Sequence, residues 1–192
     1  KRARSLRIKV SVNAPWLDAA ALEDGQPLET VLGSDVVSLH ASLVHEQPWP
    51  SYHLLNTERL ALVKDTSLLI NASRGPVAAD AALLARLESG KGPVTILDVW
   101  ETEPVVNTAL LSRVRIGTAH IAGHSYDAKL DGTRQIVKAM RESLGLSFQT
   151  EAAVTDDVPV IDLPAGLERV DALRTALRRT YHIEDDDHAL RS

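Results

Sequence analysis

The chain has 192 residues, 44% of them hydrophobic, and a formal net charge of -5. That balance fits one globular domain with some additional chain, and 21 Lys and Arg against 26 Asp and Glu argue against a nucleic-acid partner, which needs a basic face. With no cysteine, disulfides, thiolate catalysis and cysteine-held zinc are excluded.

No apolar run approaches the roughly 20 residues of a membrane span, so no membrane is expected as a partner. Residues 1–9 are basic without the apolar stretch of a secretory signal, and a cytoplasmic setting is the expectation. No metal site is expected.

In chain order, residues 8–12 (Ile-Lys-Val-Ser-Val) read as a first strand. Residues 35–40, 67–71, 95–99 and 115–119 read as four more. Between them, 56–63 reads as a helix with Asn56 or Thr57 as N-cap. Residues 80–89 read as another, stopped by Gly90. The strands are nearly continuously apolar, the pattern of strands buried on both faces of a parallel sheet. Strand–helix alternation of this kind predicts a doubly wound α/β sheet over 1–122. Beyond Gly123 the pattern changes to a long amphipathic helix, 126–144, within a segment 123–148. A connection over 146–164 contains Pro and Asp, and a helix over 166–181 shows Leu167, Val170, Leu173, Ala176 and Leu177 on one face. The acids Glu184 to Asp187 read as a solvated or helix-starting stretch.

Ligands of doubly wound sheets sit outside the carboxyl ends of the strands. Three polar groups stand there. Asn71-Ala72-Ser73-Arg74-Gly75-Pro76 follows one strand, and the guanidinium of Arg74 suits a carboxylate, which it can bind with two hydrogen bonds. Asp98-Val99-Trp100-Glu101-Thr102-Glu103-Pro104 follows the next, with three acids in six residues. His120-Ile121-Ala122-Gly123 follows the last, and a histidine titrates near neutral pH. As a set, His120 takes a proton from a substrate hydroxyl, Glu103 orients the imidazole, and Arg74 binds a carboxylate. The missing part is a hydride acceptor, which a nicotinamide cofactor supplies and side chains do not. His40, His45, His53, His182 and His188 read as structural or solvent-exposed.

The three segments, with 29 residues from Arg74 to Glu103 and 17 from Glu103 to His120, resemble the signature blocks of the D-2-hydroxyacid dehydrogenases. The resemblance implies a partial Rossmann-type NAD-binding domain. Trp100, the run from His120 to Lys129 (His-Ile-Ala-Gly-His-Ser-Tyr-Asp-x-Lys) and Gly132-Thr133 are similar to the branch of that family that oxidises 4-phosphoerythronate in bacterial pyridoxal phosphate synthesis. The stretch from Leu173 to Tyr181 and the Asp185-Asp186 pair resemble that branch's C-terminal dimerisation region, which implies a homodimer through residues 149–192. By this resemblance Arg74, Glu103 and His120 are catalytic, and Arg74 also binds substrate. Asp98 bonds the nicotinamide amide, while Ala72, Ser73, Arg74 and Gly123 line the cofactor, NAD. The substrate is a small phosphorylated hydroxy acid. Three departures stand out. No Gly-x-Gly-x-x-Gly occurs, and the family places that turn before residue 8. Asn13 and Ala14 stand where an acid should hold the adenosine ribose, which leaves NAD against NADP open. His124 stands where the branch has a tyrosine that meets substrate. Another hydroxyacid dehydrogenase, such as one acting on phosphoglycerate, and a non-catalytic remnant acting as an interaction module are the alternatives.

Overall fold

The computed structural model describes residue 4 and residues 7–18, 22–146 and 160–192; the side chains of 126–128 lie outside the description. The chain divides into two units, Lys1–Ala122 with Leu190–Ser192, and Gly123–Ala189.

The first unit is built on a parallel sheet in the order β1 (Val36–Leu39), β2 (Leu68–Asn71), β3 (Val94–Leu97), β4 (Ile116–Gly117). The register sets Leu39 beside Asn71, Asn71 beside Leu97, and Leu97 beside Gly117. The four carboxyl ends are therefore level, and the loops leaving them share one rim. Helix α1 (Leu28–Leu32) precedes β1, and α2 (Thr57–Leu60), α3 (Asp80–Glu88) and α4 (Thr108–Leu111) connect the strands. Asn56 is the N-cap of α2, its Oδ1 accepting from the Arg59 N–H at 3.0 Å, and Asn107 caps α4 in the same way. Gly90, at φ +72°, ends α3 as expected. The core joins Val37, Leu39, Leu69 and Leu97 from the strands to Leu32, Leu60, Leu83, Leu110 and Trp100.

Two expectations fail. Residues 8–12 do not join the sheet. Val12 makes one parallel bridge, its N–H donating to Asp24 O and its carbonyl accepting from the Gln26 N–H. A strand is stabilised by a ladder along a neighbour, and here the neighbour is the turn around Gly25, which offers a single rung. The strands are also not buried on both faces. Their burial alternates, with Val37, Leu39, Leu69 and Leu97 covered while Val36 and Val94 stay 56% and 51% exposed. The helices cover one face, and the apolar residues on the other keep their strand preference without deep burial.

In the second unit the helices are α5 (Tyr126–Leu144), α6 (Arg169–Thr180) and α7 (Ile183–Arg191), the last ending in residues grouped with the first unit. The acids Glu184, Asp185 and Asp186 fill the first turn of α7, where they complement the helix dipole. Helix α6 starts later than expected, at Arg169 after Gly166 (φ +83°), and none of its residues is buried. Residues 147–159, most of the expected connection and the start of the expected dimerisation region, lie outside the described residues. Among the described residues no helix is long and apolar enough to cross a membrane.

Candidate active site

Asn71 ends β2 and folds the chain over its own amide. Its Oδ1 accepts from the Ser73 N–H at 3.2 Å and the Ser73 hydroxyl at 2.9 Å, and its Nδ2 donates to Arg74 O at 3.1 Å. Ser73 is thereby buried with its hydroxyl used internally, while Ala72 is exposed. Arg74 leaves this turn in an extended conformation with its side chain exposed. Nη1 donates to Ser73 O at 2.6 Å, and among the described residues the guanidinium has no carboxylate partner. Gly75 follows because nothing larger fits: a Cβ there would lie 1.9 Å from Trp100 O and 2.6 Å from Glu101 N. The Arg74 turn and the loop after β3 are thus in backbone contact.

That loop carries the acids. Trp100 is core, its indole N–H donating to Thr118 O at 2.9 Å. Its backbone N–H donates to Glu103 Oε1 at 2.8 Å, which leaves Oε2 for His120 Nδ1, also at 2.8 Å. Asp98 is buried and accepts three bonds, from the Thr118 hydroxyl (2.6 Å) and the Ile121 N–H (2.7 Å) on Oδ1 and from the Ala122 N–H (2.9 Å) on Oδ2. With the His120 N–H on Asp98 O at 2.7 Å, this clips the loop after β4 to the end of β3. The clip holds His120 at φ +57°, a left-handed conformation that costs a non-glycine residue about 1–2 kcal/mol. Its imidazole is half exposed, with Nδ1 on Glu103 and no partner on Nε2 among the described residues. The structure therefore brings Glu103 and His120 into direct contact.

A second histidine–carboxylate pair lies beside the first. His53 Nε2 is 2.6 Å from Glu101 Oε1, and Glu101 Oε2 accepts the Asp80 N–H at 2.8 Å, capping α3 where Ala79 has no side chain to do so. Burial, and then the Glu101 charge, push the Asp80 carboxyl up from 3.8 to about 6. A raised carboxyl favours the folded state fully below its unfolded value, and that contribution is lost as pH rises through the folded one. Stability should thus fall between about pH 4 and pH 6, and Asp80→Asn should flatten that part of the profile. Denaturant midpoints measured across the interval check this; an equal slope in the variant contradicts it.

Asn13 donates its amide to Gln26 O at 3.0 Å. In the second unit Gly123 is exposed, and Lys129 Nζ lies 3.0 Å from His124 Nε2. Lys129 and Glu101 carry no signal as site residues in the sequence, because their partners are set by the fold. Among the described residues no group of three metal-ligating side chains occurs.

Residues 1–122 match the family model of the NAD-binding domain of D-isomer-specific 2-hydroxyacid dehydrogenases. The chain belongs to this family. As a D-2-hydroxyacid dehydrogenase chain it is 40% identical over 166 residues to an erythronate-4-phosphate dehydrogenase of Cronobacter sakazakii, covering 85% of this chain and 44% of that protein. To the protein of the same name from Serratia proteamaculans it is 42% identical over 169 residues, covering 86% and 45%. Among solved structures it resembles a glyoxylate reductase from Paecilomyes thermophila, with a TM-score of 0.61 at 28% identity over 74% of this chain and 44% of that one. It also resembles a D-lactate dehydrogenase from Aquifex aeolicus complexed with NAD and lactic acid, with a TM-score of 0.58 at 28% identity, covering 74% and 49%. The chain spans about half the length of the relatives it matches.

The described residues fit the nicotinamide end of the family's cofactor. Level strand ends form the rim where such ligands sit, and Asp98, with three of about four acceptor positions used, keeps one on Oδ2.

Proposed function

We propose that the protein is an NAD-dependent dehydrogenase that oxidises 4-phosphoerythronate to 2-oxo-3-hydroxy-4-phosphobutanoate, in pyridoxal 5'-phosphate synthesis. One observation carries the reading: His120 presents an Nε2 with no partner among the described residues while Nδ1 is held by Glu103 at 2.8 Å, at the carboxyl rim of a parallel sheet. With Nδ1–H on the carboxylate, Nε2 carries a lone pair and is a base. It accepts the proton of the C2 hydroxyl as the oxygen becomes a carbonyl. Glu103, fixed by the Trp100 N–H, stabilises the imidazolium that results. Arg74 binds the C1 carboxylate with its fork of donors and polarises the C2 oxygen. The nicotinamide, when bound, supplies the acceptor for the hydride that leaves C2. Asp98, Ala72, Ser73, Arg74 and Gly123 are the residues assigned to hold it. The names of the relatives support the four-carbon phosphorylated substrate. His124 is the further residue that the resemblance assigns to the substrate; within the second unit the Lys129 ammonium lies 3.0 Å from its Nε2. The reading carries with it a cytoplasmic homodimer formed through the C-terminal region; a monomer in light scattering removes the dimer.

The experiment is an NAD reduction assay of the full-length protein on 4-phosphoerythronate and 3-phosphoglycerate, beside thermal melts with and without NAD. We expect turnover on the first acid, and stabilisation by about 2.7 kcal/mol at a hundredfold excess of NAD over its Kd. Activity on phosphoglycerate alone refutes the substrate. The absence of both turnover and stabilisation refutes the enzyme and leaves the non-catalytic reading.

A further inference from the structure

The segment that carries Arg74 runs between two walls. On one side Gly75 rests against the backbone of Trp100 and Glu101. On the other, the His53 N–H donates to Pro76 O at 2.8 Å, the Leu55 N–H to Val77 O at 3.0 Å, and the Ala79 N–H to Leu55 O at 3.1 Å. The His53–Glu101 bond, at 2.6 Å, joins the two walls. The wall that contains Glu101 also contains Glu103, two residues on, which holds His120. His53 sits at φ +48°, where a turn alone would be served better by glycine or asparagine. Such strain persists where the surroundings over-determine it, and here the imidazole is part of what determines them.

We propose that His53 is a positioning residue for the dehydrogenase reaction: through Glu101 it fixes the Arg74 turn against the loop that holds Glu103, and so fixes the carboxylate anchor relative to the acid/base pair. The inference rests on the function proposed above. His53 never touches the substrate. Its effect falls on the binding of the acid rather than on the proton transfer, because Glu103 and His120 have their own anchors in the Trp100 N–H and Asp98. The groups that face His53 are Glu101, the stacked Tyr52 ring at 4.0 Å, His45 behind Tyr52 at 4.8 Å, and Asp80 through Glu101. Of these only Glu101 offers the imidazole a charge-assisted bond. Protonation of His53 strengthens the tie, and its loss weakens the tie without removing the donor.

The test uses the full-length protein with selective histidine and glycine isotope labels. Followed by NMR against pH, the Gly75 amide should carry a component that follows the midpoint of the His53 ring in the wild type, and His53→Gln should lose that component while keeping the one that Asp80 causes. A Gly75 amide that ignores the His53 titration overturns the proposal, and this readout does not depend on turnover. In kinetics, His53→Ala should raise KM for the hydroxy acid about tenfold with kcat within about a factor of two, the split expected for lost ground-state binding. His53→Gln, which keeps a donor toward Glu101, should recover most of that loss. A fall in kcat at constant KM, or no recovery in the glutamine variant, overturns the positioning role. Absence of any wild-type turnover refutes the dehydrogenase reading instead, and the titration still decides on His53.

Discussion

Replacing His120 should lower kcat of the full-length protein by about 10²–10⁴-fold, the usual worth of a positioned acid/base group. Two variants make the result decisive. His120→Ala removes the imidazole but leaves a residue poorly suited to φ +57°. His120→Asn removes it as well, and asparagine tolerates the left-handed region. Both should lose turnover to a similar extent, and the asparagine variant should keep the melting temperature of the parent, since the side chain is half exposed and its loss empties no core. Glu103→Gln should approach the same loss for a different reason. The amide offers one acceptor and one donor where the carboxylate offered two acceptors. With Oε1 still needed by the Trp100 N–H, the NH₂ faces Nδ1 and forces the tautomer that leaves Nε2 protonated. Steady-state kinetics with saturating NAD measure all three. Turnover that survives in His120→Asn removes His120 from the chemistry.

The largest expected loss of stability belongs to Gly75→Ala. The added Cβ would meet Trp100 O at 1.9 Å and Trp100 C at 2.0 Å, and both are backbone atoms with no rotamer to change. One loop has to move by an ångström or more. Neither moves freely. The Trp100 side is pinned by a core indole and by Glu101 on α3, and the Gly75 side by the bonds to residues 53–55. Overpacking of this kind costs about 1–3 kcal/mol and occasionally more, and the upper end is expected here. It should show as a lower denaturant midpoint at unchanged m. The displaced Arg74 should also raise KM for the acid. A variant as stable as the parent would show that the two loops are not in the contact described.

Four strands and two of the helices between them were legible in the sequence, because β-branched runs and cap residues are local signals. The 8–12 run carries the same signal yet forms one bridge, since a ladder depends on what lies alongside, which no run of five residues encodes. The apolar continuity of the strands suggested two covered faces; Val36 and Val94 show that composition does not count covering helices. In the site, Arg74, Glu103 and His120 stood out by type and by position after strands. What stayed hidden was the supporting set. Glu101 read as one acid among three, yet its partners come from 21 and 48 residues away. Asp98 was expected to face the cofactor amide and spends most of its acceptors on the loop after β4. The left-handed backbone of His120 has no glycine to announce it.

The Asp98 clip has a consequence for how such a protein can change. Everything that aims His120 comes from one strand end and the loop that follows it: Asp98 grips the backbone, Trp100 steadies the carboxylate, and Glu103 holds the ring. Under the proposed function, residues 98–103 form a portable proton-handling cassette, about six residues long with a clip to its neighbour. Under that same function, substitutions along the Arg74 turn would retune which acid is accepted while the cassette stays intact, so selectivity would drift without the chemistry being rebuilt.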